Sequence, residues 1–109
     1  DAVKARANAL RLLGETAERQ ADLGEALVAD ARGVVTAEAR KAFARAGELQ
    51  AGEPKAHFFL GLAAEQDGRK DDAEKIWREM LAAAPPGASY LPAVREAIER
   101  LHANQGSAK

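Results

Sequence analysis

Two stretches of this chain carry the same helical face 34 residues apart: Ala39, Phe43 and Ala46 return as Ala73, Trp77 and Met80. In each, a small residue is followed four positions on by a large ring and three further on by another apolar residue, which puts all three on one side of an α-helix. A face repeated at that period restricts the chain to helix pairs stacked side by side, because one pair alone cannot bury its apolar side. Leu23-Gly24 and Leu60-Gly61 form a second recurrence, three residues out of step with the first. The turn after Gly24 is therefore the longer one. Val34-Val35 falls in it as an insertion, and the two valines are expected to plug the end of that helix pair.

The regular unit runs from Pro54 to Pro85. Phe59, Leu60, Ala63 and Ala64 form one apolar set, and Ala73, Ile76, Trp77, Met80, Leu81 and Ala84 form the other. Gly68 between them supplies a left-handed helix end, and Asp71 is expected to cap the next helix, with Glu74 three residues on completing a capping box. Leu60-Gly61, Gly68, Ala73, Trp77 and Pro85 resemble the register of the tetratricopeptide repeat (TPR), in which the small residues let paired helices approach closely. His57 stands where that family usually has tryptophan, and Met80 where it usually has alanine.

The fold class expected is all-α: antiparallel helix pairs stacked as a TPR solenoid with a C-terminal capping helix, about six helices in residues 1–103. Residues 1–14 read as one amphipathic helix with Val3, Ala7, Leu10 and Leu13 inward, ending at Gly14. In the pairwise order it is the last helix of a repeat that begins upstream, and a chain starting at Asp1 is expected to be a piece of a longer protein. Residues 15–50 form the repeat with the long interhelix loop, Leu23, Ala26 and Leu27 facing inward and Thr36 capping its second helix. Residues 54–85 form the most regular repeat. Residues 89–103 form the capping helix, with Ser89 as its cap and Leu91, Val94, Ile98 and Leu101 inward. Residues 104–109 are expected to be a disordered tail.

Composition excludes several function classes. Sixteen basic and seventeen acidic residues leave a formal charge of −1, so there is no bulk attraction for nucleic acid or an anionic membrane surface. With no cysteine there is no thiolate nucleophile and no cysteine-held zinc. His57 and His102 are far apart in sequence without a carboxylate pattern for a metal. No stretch reaches transmembrane length, so no direct membrane insertion by this piece is expected. Ser89 and Ser107 have no histidine nearby, and Asp71-Asp72 is accounted for by helix capping, so no enzyme is expected and no cofactor is assigned.

Three features carry a narrower resemblance: the long loop Gly33-Val34-Val35-Thr36, the helix Phe58-Phe59-Leu60-Gly61-Leu62-Ala63, and the closing run Pro85-Pro86-Gly87-Ala88-Ser89-Tyr90-Leu91-Pro92-Ala93-Val94. Together they resemble the C-terminal periplasmic domain of the CcmI (CycH) family of cytochrome c biogenesis proteins, over most of the chain. The resemblance implies a periplasmic chaperone module that holds the C-terminal amphipathic helix of apocytochrome c and presents it to the haem ligation machinery. It also implies an inner-membrane anchor elsewhere in the full-length protein. The competing reading is a TPR interaction module that assembles a different complex.

In either case the ligand is expected on the concave side, lined by the first helix of each pair. In the TPR register those positions are Lys55, Phe58, Leu62, Glu65 and Gln66 on one helix, and Glu18, Ala21, Asp22, Glu25, Val28 and Ala29 on the other. The helix around Ala56–Ala64 is apolar nearly all round, more than one neighbour can bury. Such an apolar stripe with carboxylates at its rim suits an amphipathic helix bearing basic residues. The bland alternative is that Phe58 is packed between adjacent pairs, as Phe59, Phe43, Trp77 and Met80 are expected to be.

Overall fold

The computed structural model describes residues 1–107 and contains six helices: α1 (Ala2–Leu13), α2 (Ala17–Asp30), α3 (Ala37–Leu49), α4 (Pro54–Gln66), α5 (Lys70–Ala83) and α6 (Leu91–Ser107). There is no strand among the described residues. Helices α2 and α3 form one antiparallel pair and α4 and α5 the next, with α1 packed on α2 and α6 on α5. The stack measures 50 × 30 × 20 Å and has a radius of gyration of 14.3 Å. A rounder domain of this length would come to about 13 Å, so the pairs extend in one direction, as a helical repeat does.

Local chemistry sets most helix starts. The side chains of Asp1, Thr16, Thr36 and Glu53 accept hydrogen bonds from the backbone N–H of Lys4, Arg19, Ala39 and Ala56, at 2.8, 3.0, 3.2 and 2.7 Å. Each satisfies a donor that the first helical turn leaves unpaired. Pro54 occupies the first turn of α4, where its missing N–H has no bond to lose.

Helix α5 begins differently from expectation. Gly68, at φ 82°, ends α4, and the Arg69 N–H closes back on the Ala64 carbonyl at 2.9 Å. The Ala73 N–H already bonds the Arg69 carbonyl at 3.1 Å. Arg69 is thus the cap, and the tight connection carries Asp71 and Asp72 into the first turn, where their charge favours the positive end of the helix dipole. The expected capping box does not form. Glu74 pairs instead with Arg78 Nε at 2.6 Å and His102 Nε2 at 3.2 Å.

Both pairs are closed by the same lock. A Cβ built on Gly24 would meet the Phe43 ring at 2.5 Å, and one on Gly61 would collide with the Trp77 indole. The rings therefore lie directly on helix backbone, and both are fully buried. Trp77 Nε1 donates to the Phe58 carbonyl at 3.1 Å, which removes the cost of burying the indole N–H. Around Phe43 the core gathers Leu27, Val28, Val35, Ala39 and Ala46. Around Trp77 it gathers Ala64, Ala73, Met80, Val94, Ala97, Ile98 and Leu101. Ala97 was absent from the expected inward set of α6 because alanine gives a weak periodic signal.

Between the cores runs an unbroken row of rings. Phe43 stacks on Phe59 at 4.9 Å, Phe59 meets Phe58 edge to face at 5.4 Å, and Phe58 lies 5.9 Å from Trp77. Phe59 remains half-buried rather than sealed.

Three further expectations are corrected. Val35 is the plug, 3% exposed, but Val34 points out at 53%, because the turn through Arg32 and Gly33 can direct only one of two successive side chains inward. No residue of α1 is buried: Val3 and Leu10 are half-covered, whereas Ala7 and Leu13 are exposed. Helix α6 starts at Leu91, with its first backbone bond from Val94 N–H to Tyr90, so Ser89 lies in the preceding turn. That helix continues through Ser107, past the expected end at 103, and residues 108 and 109 of the expected tail lie outside the described residues.

Candidate peptide-binding cleft

Every residue of α4 from Pro54 to Glu65 is at least half-buried, and Ala56, Gly61, Ala63 and Ala64 are sealed, so this central helix is covered on all sides but fully closed only along that small-residue face. A cleft of about 500 Å³ opens along its first turns. Glu53, Pro54, Lys55, Phe58 and Phe59 supply its floor, Glu25 of α2 one wall, and Ser89 and Tyr90 the other. The second wall exists because the segment after α5 turns at Gly87 (φ 76°) before α6 begins. That volume accepts one or two large side chains and not the whole face of a helix, so a docked helix would lie across it and insert anchors.

Of the residues expected to bind, Lys55, Phe58 and Glu25 line this cleft together. Lys55 Nζ sits between Asp22 Oδ1 at 2.7 Å and Glu25 Oε1 at 3.0 Å, tying α4 to α2. Burial, the largest single influence, works against the ammonium charge, but the two carboxylate bonds together outweigh it and raise the lysine pKa above its ordinary value.

The other expected residues are placed elsewhere. Ala21 and Val28 are core residues, 1% and 6% exposed, since the side of α2 that carries them faces α3 and α4. Leu62 is half-buried and packs against both cores at once. Glu65, with a side chain 13% exposed, forms a two-pronged pair with Arg100 of α6 at 2.6 and 3.1 Å. The Arg100 guanidinium, its pKa raised chiefly by that pair, also lies 5.9 Å from the Trp77 ring centre.

Gln66 is a strut. Its Oε1 accepts from the Val35 N–H at 2.9 Å and its Nε2 donates to the Gly33 carbonyl at 2.8 Å, pinning the long α2–α3 loop to the end of α4. Glu53, Pro54, Phe59, Ser89 and Tyr90 were missed as lining residues. Tyr90, an aromatic next to a turn, carried a sequence signal, whereas Phe59 was read as packed between the pairs. Among the described residues no group of three histidines, cysteines or carboxylates is arranged to hold a metal ion, and no helix is long and apolar enough to cross a membrane.

Stacked helix pairs with small residues under buried rings define a TPR-like helical repeat, here with an open cleft on the first helix of the second pair. The chain is 56% identical over 101 residues, 93% of its length, to the cytochrome c-type biogenesis protein CycH of Bradyrhizobium diazoefficiens. It is 40% identical over 103 residues, 94% of its length, to the protein of the same name from Rhizobium meliloti. The chain is therefore a relative of the cytochrome c-type biogenesis proteins named CycH, matched along nearly all of itself, and it spans about a quarter (27%) of each of those proteins. No family model matches the chain, and no solved structure does.

Proposed function

We propose that this domain works in cytochrome c maturation as a periplasmic chaperone module: it docks the C-terminal amphipathic helix of apocytochrome c across the α4 cleft and holds it for covalent haem ligation by the maturation machinery. The observation that carries this reading is the cleft itself, where the half-buried Phe58 lies beside Glu25 and Tyr90 at an opening to solvent. The names of the two relatives give the pathway. Covering an exposed ring contributes up to about 1.5–3 kcal/mol, and less for Phe58, part of whose surface is already packed on Phe59 and Trp77. The remainder of the affinity comes from a second anchor and from charge at the rim, against the cost of ordering the peptide.

The test is titration of the chain with a synthetic C-terminal helix peptide of an apocytochrome c and with a scrambled control. Tighter binding of the native peptide, weakened about tenfold or more by Phe58→Ala while circular dichroism stays helical, supports the reading. Equal binding of native and scrambled peptides sinks it in favour of an assembly module for another complex.

A further inference from the structure

The cleft carries more chemistry than an apolar anchor needs. Three rings line it, Phe58, Phe59 and Tyr90, and two carboxylates, Glu25 and Glu53, stand at the same opening. Each carboxylate has one oxygen committed: Glu25 Oε1 to Lys55, and Glu53 Oε1 to the Ala56 N–H that it caps. Their Oε2 atoms have no partner among the described residues. Lys55 is the one cation lining the cleft, and Asp22 and Glu25 hold it from two sides. Arg6, itself 53% exposed, reaches Asp22 only at 3.9 Å. Three carboxylates against two cations leave the mouth with a net negative charge, and the Glu25 side chain is half exposed to whatever arrives.

We propose that this cleft is a subsite for a basic side chain, a lysine or arginine presented by the docked helix, with its alkyl stem against Phe58, Phe59 and Tyr90 and its charged head at the unbonded oxygens of Glu25 and Glu53. Aromatic faces attract a cation in addition to covering its stem, and carboxylates at a partly desolvated rim strengthen that attraction. The same arrangement repels an acidic side chain or a chain-terminal carboxylate, for which no uncommitted lysine or arginine lines the cleft. The subsite thus selects for the register of a helix, since the basic residue must fall where the helix crosses α4. This inference rests on the helix-docking reading above.

The experiment uses the whole chain and three peptides: the native apocytochrome c C-terminal helix, its scrambled form, and the native sequence with lysines acetylated and arginines replaced by citrulline, which keeps the stems and removes the charge. The expected result is that the neutralised peptide binds about 5-fold or more weakly than the native one at low ionic strength, with the gap narrowing as salt is added. Glu25→Gln and Glu53→Gln should weaken the native peptide similarly and leave the neutralised one unchanged, the signature of a direct pairing in a double-mutant cycle. Glutamine keeps an acceptor for the Ala56 N–H, and Asp22 keeps hold of Lys55, so both variants should fold. Native and neutralised peptides binding alike, while both outcompete the scrambled one, would overturn the subsite and leave the docking function standing. A native peptide no better than the scrambled control removes both.

Discussion

In the first pair, α2–α3, Gly24 lies under Phe43 and the chain turns through Arg32 and Gly33. In the second, α4–α5, Gly61 lies under Trp77 and the chain turns at Gly68. The two locks are alike, but the turns are not. Gly68 takes the left-handed position that ends α4, and Arg69 follows at once as the cap of α5. In the first pair that position belongs to Arg32, at φ 55°, and the Gly33 N–H closes on the Val28 carbonyl at 2.9 Å before the extra residues begin. The longer turn is held by borrowed contacts: Val35 buried in the core, and Gln66 of the other pair bonded to it. A repeat can therefore absorb an insertion provided its neighbour supplies the missing hydrogen bonds.

The largest effects should come from the locks. Phe43→Ala and Trp77→Ala should each cost about 3–5 kcal/mol in urea unfolding, since both rings are fully buried. Gly24→Ala and Gly61→Ala should each cost about 1–3 kcal/mol or more by overpacking. The Gly61 substitution should be the worse of the two, because Trp77 is pinned by its bond to the Phe58 carbonyl and cannot withdraw freely. Equal and negligible losses at both glycines would mean that the rings do not rest on the backbone.

Next in size is the strut. Gln66→Leu removes the acceptor of the Val35 N–H and the donor to the Gly33 carbonyl, and should cost about 1–3 kcal/mol. Faster hydrogen exchange at Val35 should accompany it, while amides of α5 stay protected. The turns should then respond in opposite directions. Arg32→Gly relieves a left-handed non-glycine residue and should stabilise by about 0.5–1 kcal/mol, whereas Gly68→Ala should destabilise by about 1 kcal/mol. A loss at both would make the first turn depend on the arginine side chain instead of its backbone.

The smallest effect is one of pH. The Arg45 hydrogen bond, helped by Gln20, holds Glu15 at about 2 against an ordinary 4.5, tying the α1–α2 turn to α3. Arg40 lowers Asp67, joining the two pairs, and Arg78 with His102 lowers Glu74. Carboxylates depressed by folding stabilise the native state above their unfolded pKa and lose that contribution as pH falls through the folded one. Melting temperature should therefore decline from about pH 4.5 towards 2. Glu15→Gln should flatten part of the slope, modestly, since these pairs are exposed to solvent.

What was legible in the sequence follows from the same comparison. The small-then-aromatic spacing located both locks, and the capping residue Thr36 located the start of α3, because these depend on neighbours within a turn or two. The strut was not legible: Gln66 meets residues 31 and 33 positions away, and its place on the helix looked like a ligand position. Ala21 and Val28 failed as cleft residues for a related reason, since the inner side of α2 is covered by the closeness of α3 and α4, which no periodicity on α2 reports. Asp71 was read as a cap because aspartate favours that role, but the short connection after Gly68 moved the helix start upstream of it.

The row of rings from Phe43 to Trp77 passes through Phe58, part of the floor of the cleft. Trp77 is the chain's single tryptophan, sealed from solvent and one ring removed from the opening. Its emission wavelength and intensity thus give an unlabelled optical signal for occupancy: a ligand that shifts Phe58 alters the indole's surroundings, and one that settles elsewhere leaves the spectrum as it was.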